Sequence, residues 1–222
     1  MRVLGVDGAK GGWVIVVLDD GRFVESRLVE RFAGAVAEDA VVIGVDIPLG
    51  ETTSAARCAD SAARALLGPR RSSVFTPPPL STAAAADYAG AKRIAIASTG
   101  KSISKQAWHL LPKMLDAVPH WRAAPLRIRE VSPEASFRAM AGAPLATSKR
   151  TAAGITDRHQ LLEQHGIRVG DALNDVRGVG VDDVLDAAAV AWSADRIARD
   201  QARCLPDPPE LDDAGRPVAI WY

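Results

Sequence analysis

Hydrophobic runs in the first fifty residues are short, rich in β-branched side chains and separated by turn signals, the pattern of strands. Residues 2–7 (RVLGVD) form an apolar run that ends on an acid. A glycine-rich turn over 8–12 leads into 13–18 (WVIVVL), an uninterrupted apolar run expected of a strand buried on both faces. Asp19-Asp20-Gly21 is a hairpin signal, and residues 22–30 then alternate apolar and polar like a half-solvated strand. A short helix is predicted over 31–38. Residues 41–46 (VVIGVD) form another buried strand that also ends on an acid, stopped by Ile47-Pro48-Leu49-Gly50.

From residue 54 to about 115 the chain is Ala-rich and reads as helical, broken over 68–79, where Pro77, Pro78 and Pro79 enforce an extended segment. Residues 126–131 alternate like a strand and run into Ser132-Pro133, an N-cap followed by proline at the first helical position, opening a helix over 134–141. A polar helix over 148–166 and a last helix from 181 to about 203 follow. The Pro- and Asp-rich tail, 205–222, is expected to wrap the surface. With no repeat and no break in composition, the chain reads as one domain over 1–204, with a helical insertion at about 52–120 and the tail beyond it. The fold class is α/β, in the order β-β-β-α-β, insertion, β-α and a closing helix. The turn at 8–12 matches neither GxGxxG nor GxxxxGK[ST] and precedes a strand, which discards a dinucleotide-binding loop.

Composition narrows the class. The 222 residues carry 27 Lys plus Arg and 27 Asp plus Glu, so no basic excess supports non-specific coating of nucleic acid. No apolar run reaches the roughly 20 residues that span a bilayer. Asp7 and Lys10 interrupt the N-terminal apolar stretch, unlike a signal peptide. Cys58 and Cys204 lie far apart without a CxxC, which argues against a disulfide scaffold or a cysteine zinc site and fits a reducing cytoplasm.

The acids carry the candidate chemistry. Asp7 and Asp46 each end a buried strand, and in open α/β sheets the ligand crevice lies beyond such ends. Each also admits a simpler role, accepting hydrogen bonds from its own turn. Asp182, Asp183 and Asp186 share one side of the last helix. Asp182 and Asp183 suit a first helical turn as caps, but Asp186 interrupts an otherwise apolar stretch and, if buried, needs a partner or a metal. Glu134 follows a strand and can equally be a favourable acid at a helix start. If three such carboxylates meet, each like-charge pair near 4 Å costs about 4 kcal/mol at an effective dielectric of 20. Raised pKa values or a divalent cation would relieve it, and an all-oxygen site without His or Cys selects Mg²⁺ or Mn²⁺.

Basic groups are local: Lys10 in the first turn, Arg70 and Arg71 before Ser72-Ser73, and Lys149-Arg150 in a second cluster. Any can grip phosphate, and each can equally be a solvated surface charge. The four histidines form no HxxxH or HExxH pattern, and Ser72 and Ser73 lack the GxSxG elbow of serine hydrolases.

Gly5-Val6-Asp7-Gly8-Ala9-Lys10-Gly11-Gly12-Trp13 and Val45-Asp46-Ile47-Pro48-Leu49-Gly50 resemble the opening of domain-of-unknown-function family 429. So do Arg57-Cys58-Ala59-Asp60, Gly68 with Arg70 and Ser72-Ser73-Val74-Phe75, Ser132-Pro133-Glu134, Ser148-Lys149-Arg150-Thr151 and Asp182-Asp183-Val184-Leu185-Asp186-Ala187, in the family's order over about 1–195. The resemblance implies a ribonuclease H-like fold and nuclease activity. In that fold acids end the first and fourth strands and sit on the closing helix, places that Asp7, Asp46 and Asp183 or Asp186 occupy here. These four would be the metal ligands, with Glu134 beside them and Lys10, Arg70, Ser72 and Lys149 toward substrate. Ala9 stands where the family often has a Cys, which removes a catalytic thiol. The acid usual on the first helix of ribonuclease H has no clear equivalent, so either Glu134 substitutes or one metal suffices.

The leading expectation is a metal-dependent nuclease or phosphodiesterase acting on nucleic acid or a nucleotide. Two alternatives stay open: a phosphotransferase of the actin and sugar-kinase type, for which a homodimer would supply the second domain, and a non-catalytic binding protein.

Overall fold

The computed structural model describes residues 1–51, 57–170 and 178–222. Strands β1 (Arg2–Ala9), β2 (Gly12–Asp19) and β3 (Arg22–Val29) form an antiparallel meander. Asp20 and Gly21 join β2 to β3 with φ of 49° and 74°, a two-residue loop with both φ values positive that Asp-Gly provides at low steric cost. The short helix α1 (Ala33–Val36) leads to β4 (Val42–Val45), parallel to β1, and β5 (Ile128–Glu130) is parallel to β4. The five-stranded mixed sheet has the order β3-β2-β1-β4-β5.

Both faces of this sheet are covered, which explains the continuous apolar strands. On one face Leu4, Val6, Trp13, Ile15 and Val17 pack with Phe32 of the β3–α1 connection and with Met114, Val118 and Trp121. Those last three come from helix α4 (Lys105–Ala123), which continues past the expected stop near 115 although Pro112 and Pro119 lie inside it. Each proline removes a hydrogen bond, but the apolar stripe holds the helix against the sheet. Before α4, the insertion contains α2 (Cys58–Leu67), 3₁₀ turns at Gly68–Ser73 and Leu80–Ala84, and α3 (Tyr88–Thr99). Its expected start, at residues 52–54, lies outside the described residues.

On the opposite face lies the closing helix α7 (Val181–Ala198). Gly5 and Gly44 are register partners on β1 and β4. A Cβ on Gly5 would stand 2.0 Å from the Ala187 carbonyl oxygen, and one on Gly44 would stand 2.9 Å from the Val190 side chain. Absent side chains therefore let α7 lie directly on the sheet, shorter at its C-terminal end than the expected 203. Two further helices, α5 (Pro133–Ala141) and α6 (Ala152–Gln164), are capped by Ser132 and Thr151, whose side chains accept the N–H groups of Ala135 and Gly154 at 3.3 and 3.1 Å.

The tail differs from its expectation. Rather than wrapping the surface irregularly, it forms a hairpin of β6 (Cys204–Leu211) and β7 (Pro217–Trp221), with Val218, Ala219 and Ile220 buried. The Ser132 N–H donates to the Trp221 carbonyl at 3.2 Å, so β7 closes the β5 end of the sheet. Three prolines in β6 remove ladder donors, which hid the strand in the sequence. No described helix is long and apolar enough to cross a membrane.

Candidate active site

The register of β1 and β4 builds the site. Val6 pairs with Val45, and the Asp46 N–H continues the ladder to the Val6 carbonyl at 2.9 Å, so Asp7, still within β1, and Asp46, just past β4, stand side by side on adjacent parallel strands. Each lies two residues beyond a glycine that faces α7, and side chains alternate with period two, so both carboxylates face α7 as well. Asp186 precedes Ala187, whose carbonyl lies against Gly5, and it meets them there. All three line a cavity of about 750 Å³ at the C-terminal ends of β1, β4 and β5.

These acids repel one another. Burial, then Asp46 and Asp186, push Asp7 well above the usual carboxylate range. Burial and Asp186 push Asp46 up to about 7. Asp186 is also raised by burial, although Lys149 pulls it back. The Lys149 ammonium is 2.5 Å from Asp186, the only ion pair among the described residues that reaches these three carboxylates. Burial opposes that ammonium's charge, but Asp186, Asp7 and Asp46 outweigh it and hold its pKa above the ordinary value. The turn role of Asp7 coexists with this, since its carboxylate accepts the Gly8 N–H at 2.7 Å.

The other expected residues divide. Glu134 lines the cavity but is committed to arginines, 2.9 Å from Arg158 and 3.6 Å from Arg70. Arg70 also donates to the carbonyls of Leu145 and Thr147, tying the 3₁₀ turn to the loop that carries Lys149. Ser72 lines the cavity. Asp183 is half-buried in the first turn of α7, outside the lining, and burial followed by Asp182 raises its pKa. Lys10 is a correction: it sits exposed at the tip of the β1–β2 turn and does not line the cavity. A hairpin tip carries its side chains past the strand end that presents Asp7.

Lys113 of α4 is the lysine on that side of the cavity, and the sequence offers no motif for it. Its ammonium donates to the Gly12 carbonyl and lies 4.4 Å from the Trp13 ring centroid. Burial lowers its pKa, while Asp116 and Asp7 oppose the shift. His109, to which no role was assigned, also lines the cavity. A second network borders it: Arg57 grips both Glu130 oxygens at 2.7 Å and Asp60 at 2.5 Å, and Glu130 also accepts the Leu49 N–H at 2.9 Å.

Among the described residues no group of three or more His, Cys, Asp and Glu is drawn close enough to form a ready metal cage. The donor chemistry nevertheless fits a hard cation. Asp7, buried, and Asp46, partly buried, are neighbours whose charges repel, and Mg²⁺ is commonly held by one or two carboxylates with water and substrate phosphate completing its shell.

A family model described as "Protein of unknown function (DUF429)" matches residues 5–211. It extends past the boundary near 195 expected from the motifs and takes in β6. No curated protein and no solved structure matches. The chain belongs to the DUF429 family.

Proposed function

We propose that this DUF429 protein is a metal-dependent phosphodiesterase of the nuclease type, built on a ribonuclease H-like sheet and acting on nucleic acid or a nucleotide. The antiparallel β1–β3 meander followed by parallel β4 and β5 supports the fold assignment. One observation carries the chemistry: Asp7 and Asp46 stand on neighbouring strands beside Asp186, and among the described residues the one ion pair that reaches them joins Lys149 to Asp186.

Asp7 and Asp46 would hold Mg²⁺ or Mn²⁺, with Asp186 beside them and Asp183 contributing negative potential from the helix start. When bound, such an ion polarises a phosphoryl oxygen and lowers the pKa of water. Lys149 orients Asp186 and brings a positive charge to the position of a substrate phosphate. Glu134 positions Arg158 and Arg70 rather than reacting, and Ser72 offers a hydroxyl from the 3₁₀ turn. Lys113 supplies positive charge next to Asp7.

The test is a Mn²⁺- and Mg²⁺-dependent cleavage panel on single-stranded, duplex, hybrid and junction substrates, with Asp7→Asn alongside. Cleavage lost in the variant supports the assignment. Equal activity in Asp7→Asn refutes it.

A further inference from the structure

Phe75 is 38% exposed, and it lines the same cavity as the carboxylates. Its two chain neighbours are held by one guanidinium. Arg64 donates to the Val74 carbonyl at 3.0 Å and to the Thr76 hydroxyl at 2.8 Å. Farther back in the same segment, Arg70 anchors the 3₁₀ turn to Leu145 and Thr147. An apolar ring held at the wall of a polar cavity is placed to stack on a flat partner. Arg150, exposed and without an ion pair among the described residues, lines the cavity with Lys149 and Lys113. A nucleobase with an attached phosphate combines both demands.

The size of the cavity limits how much of a nucleic acid it takes. About 750 Å³ lies within the roughly 300–1,000 Å³ of pockets that enclose a small ligand. Grooves for single strands present successive aromatic platforms over roughly 4–16 nucleotides. Phe75 is the one Phe, Tyr or Trp among the described residues lining this cavity. Resting on the phosphodiesterase reading above, we infer that the substrate is a nucleotide-sized phosphodiester: one nucleobase stacks on Phe75 while its doubly esterified phosphate faces Arg150 and the Asp7–Asp46 wall. A polymer threaded through the site is the excluded case.

Titration calorimetry of the full chain in Mg²⁺ tests this with nucleoside 5′-monophosphates, the matching nucleosides, ribose 5-phosphate, a single strand of about twenty nucleotides and a duplex of similar length. The nucleoside monophosphates are expected to bind about tenfold or more tighter than ribose 5-phosphate or the nucleosides, as one stacked base and one phosphate would each add about that factor. Phe75→Ala should erase the advantage over ribose 5-phosphate without changing ribose 5-phosphate binding, and Phe75→Trp should keep it. Arg150→Ala should weaken both phosphate-bearing probes and leave the nucleosides alone. Three results overturn the inference: no nucleotide binding, an advantage unchanged in Phe75→Ala, or polymer binding tenfold tighter than nucleotide with a salt slope of several phosphates. The result is separable from the cleavage test. Nucleotide binding with no cleavage anywhere in the Mn²⁺ and Mg²⁺ panel removes the phosphodiesterase and keeps the nucleotide-sized site, whereas polymer cleavage without nucleotide binding does the reverse.

Discussion

Two groups of buried or partly buried acids border the same cavity and are treated oppositely by the fold. Asp60 and Glu130 share Arg57, whose guanidinium satisfies both Glu130 oxygens and one of Asp60 and also donates to the Gly50 carbonyl at 3.3 Å. Among the described residues, Asp7, Asp46 and Asp186 have one ion pair between them, from Lys149 to Asp186. Burial raises Glu130 too, but Arg57 directly opposes the shift, whereas Asp7 and Asp46 are driven up by burial and by neighbouring carboxylates together. The first arrangement is that of an internal scaffold. The second keeps unresolved negative charge at a cavity wall, the condition under which an incoming cation is attracted and perturbed groups mark function.

Substitutions can break this contrast. The largest effect is expected in activity: Asp7→Asn should lose about a thousandfold in metal-dependent cleavage, on the order of 4 kcal/mol in transition-state stabilisation, yet melt no lower than the parent because a mutual repulsion is removed. A lower melting temperature in Asp7→Asn would erase the distinction between the two groups. Arg57→Ala should do the opposite, destabilising the fold by about 3–5 kcal/mol in urea titration by stranding Glu130 and Asp60 without their cation.

A pH series in EDTA sharpens the comparison. Unfolded Asp46 loses its proton near pH 4 and folded Asp46 only near 7, so between these values the folded state binds the extra proton and stability falls as pH rises. Relative to the parent, Asp46→Asn should gain a few kcal/mol across that window and nothing below pH 4. A flat difference between the two curves would contradict it. Added Mn²⁺ near pH 7 should return part of this stability, about 2.7 kcal/mol at a hundredfold excess over its dissociation constant, and should do so far less in Asp46→Asn. The smallest effect belongs to Lys10→Ala, which should leave cleavage and melting temperature unchanged, while Lys113→Ala weakens cleavage.

Much of the framework was legible before any coordinates. Asp7 and Asp46 could be singled out because an acid ending an apolar run is a local signal. The helix starts at Ser132 and Thr151 follow from capping chemistry, and the Asp20-Gly21 turn from backbone sterics. Closeness in sequence to Asp7 does not bring Lys10 to the cavity wall, because a hairpin tip projects away from it. The same limit hid Lys113, which reaches Asp7 from a helix more than a hundred residues downstream. It also hid the partners of Glu134, which turn a candidate ligand into a holder of arginines.

The sequence by itself determined the periodicities, turns, caps and chain-local acids, because these depend on side chains within a few bonds of one another. Only the tertiary structure decided which acids are compensated and which are not. That outcome rests on Gly5 and Gly44 admitting α7 onto the sheet, and on Arg57 and Lys149 arriving from distant segments. Charge balance over the whole chain is zero, but electrostatic free energy depends on distance and burial, and those exist only once the chain has folded.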